Sequence, residues 1–224
     1  MYEQTYKFWL TWGVNLAVAV ATILVVVAAL FGDLLRAKWF PPQLKLSVLN
    51  RNGEKCPLTI RSAGITLGSV HERTEQARFY HLQVSNSRRW SAATNTQVFL
   101  TSITLPAPNR EFENSWHGEV PMRWKHYELS GRPKNLGHAA VCDLLSVVKG
   151  QALEIHTAFS PNNLTPFLKW AGPINLFTTF VAISDQIDSE IFEVEIHWDG
   201  QWEDDDAAMS EHLLIKHDRL SRHL

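Results

Sequence analysis

The sequence is poor in cysteine and in short catalytic motifs. Only two cysteines, Cys56 and Cys142, occur in 224 residues. Two thiols permit one disulfide without requiring it, so a bridge and a pair of buried free thiols both remain open, and free Cys is commonly buried. No C-x-x-C is present, which counts against dithiol redox chemistry and zinc knuckles. No G-x-S-x-G elbow, Walker loop or G-x-G-x-x-G follows a hydrophobic run, so neither an ordinary α/β-hydrolase nor a phosphate cradle is indicated. Neither sign of charge is in excess. With 21 Lys and Arg against 23 Asp and Glu the net charge is -2, which gives no footprint for nucleic acid.

What the sequence has in quantity is apolar and aromatic surface. Hydrophobic residues make up 45%, with nine Trp and eleven Phe, enough to bury a substantial core. One apolar run stands apart from the rest. From Phe8 to Gly32 there is no charged side chain. As a helix that run would be roughly 37 Å long, sufficient to cross a hydrocarbon layer of about 30 Å. Trp9 and Trp12 mark one edge and Trp39 with Phe40 the other, where amphipathic aromatics favour the interface. Asn15, the one strongly polar side chain inside, sits near the first edge. A cleaved signal peptide would have a shorter apolar region, and a buried soluble helix would show a polar face. The expectation is a retained transmembrane anchor over residues 1–33, with Trp9, Trp12, Asn15 and Trp39 as its membrane-anchoring residues.

Lys7, opposed by Glu3, precedes the span, whereas Arg36, Lys38, Lys45, Arg51 and Lys55 follow it. Positive charge favours the cytoplasmic side. The bias therefore expects a single-pass protein of the inner (plasma) membrane with its soluble part in the cytoplasm. Pro41-Pro42 end helical continuation, and a linker is expected over residues 34–43.

Residues 44–202 read as β structure. Expected strands are Leu44–Leu49, Leu58–Ile60, Ile65–Val70, Phe79–Val84, Gln97–Ile103, Val120–His126, Val141–Val148, Leu153–Phe159, Phe177–Ile183 and Ile191–Trp198. Phe192, Val194, Ile196 and Trp198 alternate with Glu193, Glu195 and His197, the pattern of a strand with one wet face. Such strands, spaced by Gly, Pro and Asn and lacking long helical patterns, predict a mainly β protein with an antiparallel β-sandwich; a jelly roll or open barrel is the alternative. Over residues 203–224 the carboxylates Asp204–Asp206 precede apolar residues and predict a short C-terminal helix and tail.

The stretch Tyr80-His81-Leu82-Gln83-Val84-Ser85-Asn86, then Ala93-Thr94-Asn95-Thr96-Gln97-Val98-Phe99-Leu100, resembles a hairpin of bacterial immunoglobulin-like domains. In that pattern Leu82 and Val84 face the core, Asn86 starts the turn, Ala93 fits beneath the crossing chain, and Val98 and Leu100 return to the core. Together with the turn Trp198-Asp199-Gly200-Gln201-Trp202, it is similar to uncharacterised bacterial membrane-anchored proteins. The resemblance implies an immunoglobulin-like sandwich and supplies no catalytic residues.

Candidate sites are few. His71-Glu72-Arg73-Thr74-Glu75 lacks the second histidine of a zinc-protease helix. Glu203–Asp206 lacks the ligand spacing of a calcium loop and reads as a helix start. No catalytic, cofactor or metal residue is singled out. Arg88, Arg89 and Trp90 form an expected loop tip able to meet a partner or lipid headgroups. Phe167 and Trp170, if exposed, would form an interaction patch. The implied class is a membrane-tethered binding or scaffold module, or an accessory subunit of a membrane complex, with the bilayer and a protein as partners. The alternative is a membrane-anchored hydrolase or metal-dependent enzyme whose site the sequence does not reveal.

Overall fold

The structure, a computed structural model, describes residues 2–63, 70–88, 90–106, 114–125 and 132–218. The chain divides at Pro41/Pro42 into two units. The first is one helix, α1, Tyr2–Trp39. Within it Thr11–Gly32 has a mean hydropathy of 2.7 and no buried residue, and among the described residues it is the one segment long and apolar enough to cross a membrane. Thr22 satisfies its hydroxyl inside the helix, donating to the Val18 carbonyl at 2.8 Å.

The helix continues through residues 34–39, where the sequence suggested a linker. The stop comes from Pro41, which disfavours the helical region for the residue before it, so the chain leaves the helix at Phe40. Only Phe40–Gln43 separate α1 from the first strand.

The second unit contains β1 (Leu44–Val48), β2 (Glu54–Ala63), β3 (Val70–Asn86), β4 (Ala93–Leu105), β5 (Asn114–Pro121), β6 (Lys134–Leu136), β7 (Ala139–Val148), β8 (Leu153–Ile155), β9 (Lys169–Trp170), β10 (Ile174–Ile183), β11 (Phe192–Trp198), a helix α2 (Asp206–His212) and β12 (Leu213–Asp218). All pairings are antiparallel. One sheet runs β1-β3-β7-β8-β9, with β2 following β1 along the same edge of β3; the other runs β12-β11-β10-β4-β5, with β6 on the start of β4. The expected antiparallel sandwich is the fold. Expected strand residues 65–69 lie outside the described residues.

Alternation along the strands builds the core between the sheets. Leu82 and Val84 of β3, Cys142 and Leu145 of β7, Val98 and Leu100 of β4, Phe180 of β10 and Val194, Ile196 and Trp198 of β11 are all buried there. A register shift between Leu100 and Ser102 places Ile103 rather than Ser102 in the core. Such a bulge moves one residue out of the alternation. Ser102 Oγ instead lies 2.6 Å from Thr179 Oγ1 of the adjacent strand.

Two features depart from a simple hairpin plan. β3 and β4 belong to different sheets, so Tyr80–Leu100 is a cross-sheet corner and not a hairpin. Alternation fixes which residues face the core but leaves pairing partners open, and every core residue expected in that stretch is indeed buried. The segment after β5 also changes sheets: Pro121 pairs with Phe99, while Trp124 bridges to Cys142 of the other sheet.

The C-terminal segment is a helix followed by a strand. The side chain of Asp205 caps α2, accepting from the amides of Ala207 and Ala208 at 2.9 and 3.0 Å. The helix ends at His212, and the tail beyond it is β12, paired with β11 from Trp198↔Leu213 to Glu193↔Asp218. The free edge of β11 recruits these residues, with Leu213 and Ile215 facing the core. Both cysteines are free: Cys142 is buried and Cys56 is half-buried on β2.

Candidate functional site

The corner between β3 and β4 is built around Asn86. Its Nδ2 donates to the Ser91 carbonyl at 2.6 Å, and its Oδ1 accepts from the amides of Gln43 and Arg88, each at 3.1 Å. Gln43 is further joined to Ser87, whose amide and hydroxyl donate to the Gln43 carbonyl and Oε1 at 3.0 and 2.7 Å. The site where the chain enters the sandwich is therefore bonded to the corner carrying the predicted Arg88-Arg89-Trp90. Trp90 is 60% exposed, and Arg88 is half-buried. Arg89 lies outside the described residues.

Phe167 and Trp170 do not form the expected patch. Both are half-buried and pack against the core, held in place by a single 3-10 turn, Thr165–Phe167, and by β9. Trp170 pairs with Leu153 across the sheet. Their bulk covers the sheet edge, and the exposed aromatic of this region is Phe159 at 55%. In α1, Trp9 and Trp12 are exposed and meet edge to face with centroids 6.0 Å apart; Asn15 and Trp39 are exposed as well.

An apolar band that the sequence reading did not single out crosses the outer face of the β12-β11-β10-β4-β5 sheet. Phe99 pairs with Pro121 on one side and Val181 on the other. Ile191 immediately precedes Phe192, the partner of Phe180, and is 68% exposed. At the opposite end, the Ala158 amide donates to the Pro121 carbonyl at 2.8 Å and leads into Phe159. Of the adjoining rows of this face, one joins Thr179 with Ser102 and Glu193, and the next joins Glu195 and Lys216 with Phe177, which is 44% exposed. Phe99 stands between the core residues Val98 and Leu100, and that position is the signal that could have exposed it.

The outer face of the other sheet holds a charged cluster. His81 Nδ1 lies 3.1 Å from Asp143 Oδ1, and Arg123 Nε donates to Asp143 Oδ2 at 3.0 Å. Burial pushes the Asp143 carboxyl up, but the contacts with His81 and Arg123 outweigh it and hold the group below its ordinary range. Lys125 pairs with Glu54, which lowers the Glu54 carboxyl.

Beside this cluster His156 Nε2 lies 2.8 Å from Ser146 Oγ, and the His156 ring stacks on Phe79 with centroids 5.7 Å apart. Burial, helped by Arg123, pushes His156 down to about 4. The distance is that of a nucleophile–base pair, but the chemistry is unfavourable. Ser146 is buried, and an imidazole at about 4 is a weak base at neutral pH. Among the described residues no group of three or more His, Cys, Asp or Glu is arranged to hold a metal ion. The His71–Glu75 segment lies on strand β3.

Comparison with protein-family models, with curated proteins and with solved structures finds no match to this chain.

Proposed function

We propose that the protein is a membrane-tethered binding module, a scaffold or accessory subunit of a membrane complex, with α1 as its anchor and the outer apolar band as its protein-binding surface. The observation that carries this reading is the band Phe159, Pro121, Phe99, Val181 and Ile191. A solvated sheet face is ordinarily polar, and apolar residues gathered on one mark an interaction surface. The uncharged run Thr11–Gly32 supplies the anchor, and the resemblance of Tyr80–Leu100 to immunoglobulin-like domains, which occur in adhesion and transport-accessory proteins, points the same way. The charge bias after α1 supports a cytoplasmic sandwich at the plasma membrane.

The test is affinity purification of the full chain in detergent, compared with Phe99→Lys and Ile191→Asp variants. A protein that co-purifies with the native chain and is lost from both folded variants supports the reading. A native chain that migrates alone, or a partner retained by both variants, overturns it.

A second reading, a membrane-anchored hydrolase, rests on the Ser146–His156 pair. It is the weaker of the two, because the hydroxyl is buried in mid-strand.

A further inference from the structure

We infer that the cleft between the turn joining β7 to β8 and the loop leaving β11 binds one neutral sugar ring against the indole of Trp202. The site belongs wholly to the sandwich and rests on neither α1 nor the apolar band.

The cleft has a volume of about 260 Å³. Val148, Trp198 and Trp202 are among its walls, and the exposed Gly150, Gln151 and Gly200 stand at its rim. Both glycines adopt positive φ, +70° and +89°, a conformation that glycine takes without steric cost. A Cβ built on Gly150 meets nothing within 4 Å, so bare backbone borders the opening there.

The aromatic walls are fixed from within the protein. Trp198 Nε1 donates to the Gln201 carbonyl at 3.3 Å, and Trp202 Nε1 donates to Asp204 Oδ1 at 3.0 Å. The buried Arg78 guanidinium lies over the Trp202 ring, 5.6 Å from its centroid. Both indole N–H groups are therefore spent, and the rings offer a ligand only apolar surface.

The ligand is uncharged. Among the described lining residues none carries a charge. The charged groups nearby are matched with one another: Lys149 meets Asp204 at 2.7 Å, and His212 Nδ1 lies 2.6 Å from Asp199 Oδ2. An ion entering the cleft would lose hydration and gain no counter-ion. The polar reader is Gln151. Its backbone amide donates to the Val148 carbonyl at 2.9 Å, while its side-chain amide bonds to no described residue.

A cleft of this size lies below the range that takes drug-sized molecules, so it holds a single ring. That ring needs an apolar face for the indole and a polar edge for the Gln151 amide and the glycine backbone. A pyranose has both, because its axial C–H groups make one face apolar and its hydroxyls donate and accept. A proline ring has the apolar face without the hydroxyl edge and is the competing occupant.

The experiment uses the full chain, labelled with fluorotryptophan, in a detergent whose headgroup is not a sugar, and follows it by fluorine NMR. A Trp202→Phe variant assigns the resonance. The titrants are the methyl glycosides of glucose, galactose, mannose and N-acetylglucosamine, with a diproline peptide beside them. The expected result is a saturable shift of the Trp202 resonance with at least one glycoside, half-complete on the order of 10 mM. The resonances of Trp9 and Trp12 in α1 should not move. Gln151→Ala, a change at an exposed position that leaves the fold intact, should raise the midpoint at least threefold. The matching disaccharide separates two sources of the ring: binding as tight as the glycoside marks a chain end, weaker binding a free sugar, and either supports the site. A Trp202 resonance unmoved by all four glycosides at ten times that concentration overturns the inference. So does a midpoint unchanged by Gln151→Ala, or a saturable shift with the diproline peptide alone.

Discussion

Arg78 and Asp206, 128 positions apart in sequence, meet at 2.7 Å between Nη1 and Oδ1. Arg78 is fully buried. Nη1 also donates to the Asn52 carbonyl and Nη2 to the carbonyls of Glu203, Asp204 and Asp205, at 2.9–3.2 Å, and the Trp202 ring lies 5.6 Å from the guanidinium carbon. Arg78 precedes Tyr80 by two residues on β3 and so shares its inward face. It caps that end of the core and fastens the acidic segment over it. The run Glu203–Asp206 thus supplies backbone acceptors to an arginine, a helix cap and ion pairs to Lys55 and Lys149.

Replacing Arg78 by Ala should destabilise the domain by about 3 kcal/mol, because it strands several carbonyls that accept from the buried guanidinium. Urea unfolding followed by tryptophan fluorescence reads this directly. Limited proteolysis should then cut near residues 203–206, which the native chain protects. Asp206→Asn, which keeps an acceptor at an exposed position, should be much milder. Equal effects from both substitutions would mean that charge, and not the carbonyl network, holds the segment.

The acid limb of stability should be set in part by His156. Its folded value of about 4 lies below its ordinary 6.5. Between those values the unfolded chain binds a proton that the folded chain refuses, so stability is full above pH 6.5 and falls as pH drops toward 4, by on the order of 3 kcal/mol. Asp143, held low by His81 and Arg123, acts in the same direction at lower pH. His212, raised by the Asp199 carboxylate, acts oppositely: its contribution is present below 6.5 and fades as pH rises through its folded value. Denaturation midpoints measured from pH 7 to 4 should drop steeply in the native chain and less in His156→Gln, which can still bond Ser146.

The sandwich was readable from the sequence wherever one face is wet. β11 shows this best: Phe192, Val194, Ile196 and Trp198 are buried, while Glu193 and Glu195 are half-buried and His197 is exposed. What stayed hidden depends on partners distant in sequence. Nothing in the local sequence around Arg78 announces its burial, because most of its acceptors lie more than a hundred residues downstream. β12 reads as the continuation of a helix because only the edge of β11 makes it a strand. The cross-sheet corner reads as a hairpin because alternation specifies faces and not neighbours. Of the expected contact residues, Trp90 is exposed as the turn pattern suggested, whereas Phe167 and Trp170 are taken up by packing, which a loop sequence does not announce.

The two cysteines should differ in reactivity without forming a bridge. Burial raises the Cys142 thiol far above its ordinary value, with Asp143 adding to the effect. Burial, with Glu54 adding, raises Cys56 more modestly. Thiolate supply limits alkylation. Under native conditions a thiol reagent should therefore modify Cys56 slowly and Cys142 not at all, and both should react after unfolding without reductant. Recovery of fewer than two thiols from the unfolded chain would reveal a disulfide at odds with the free pair.

The orientation of the anchor gives a final expectation. Arg36 and Lys38 follow the apolar run directly, and Lys45, Arg51 and Lys55 come soon after, against Lys7 alone before it. Positive residues close to a span are retained on the cytoplasmic side, so the sandwich of the anchored chain should resist protease added to intact cells or spheroplasts and be cut after lysis. Because the bias rests on few charges, it should be reversible. Changing Arg36 and Lys38 to Gln, with two lysines introduced ahead of Phe8, is expected to turn a measurable fraction of chains around and expose their sandwich to outside protease. Cleavage of the native sandwich from outside would place it on the opposite side of the membrane, with Cys56 in an oxidising solvent.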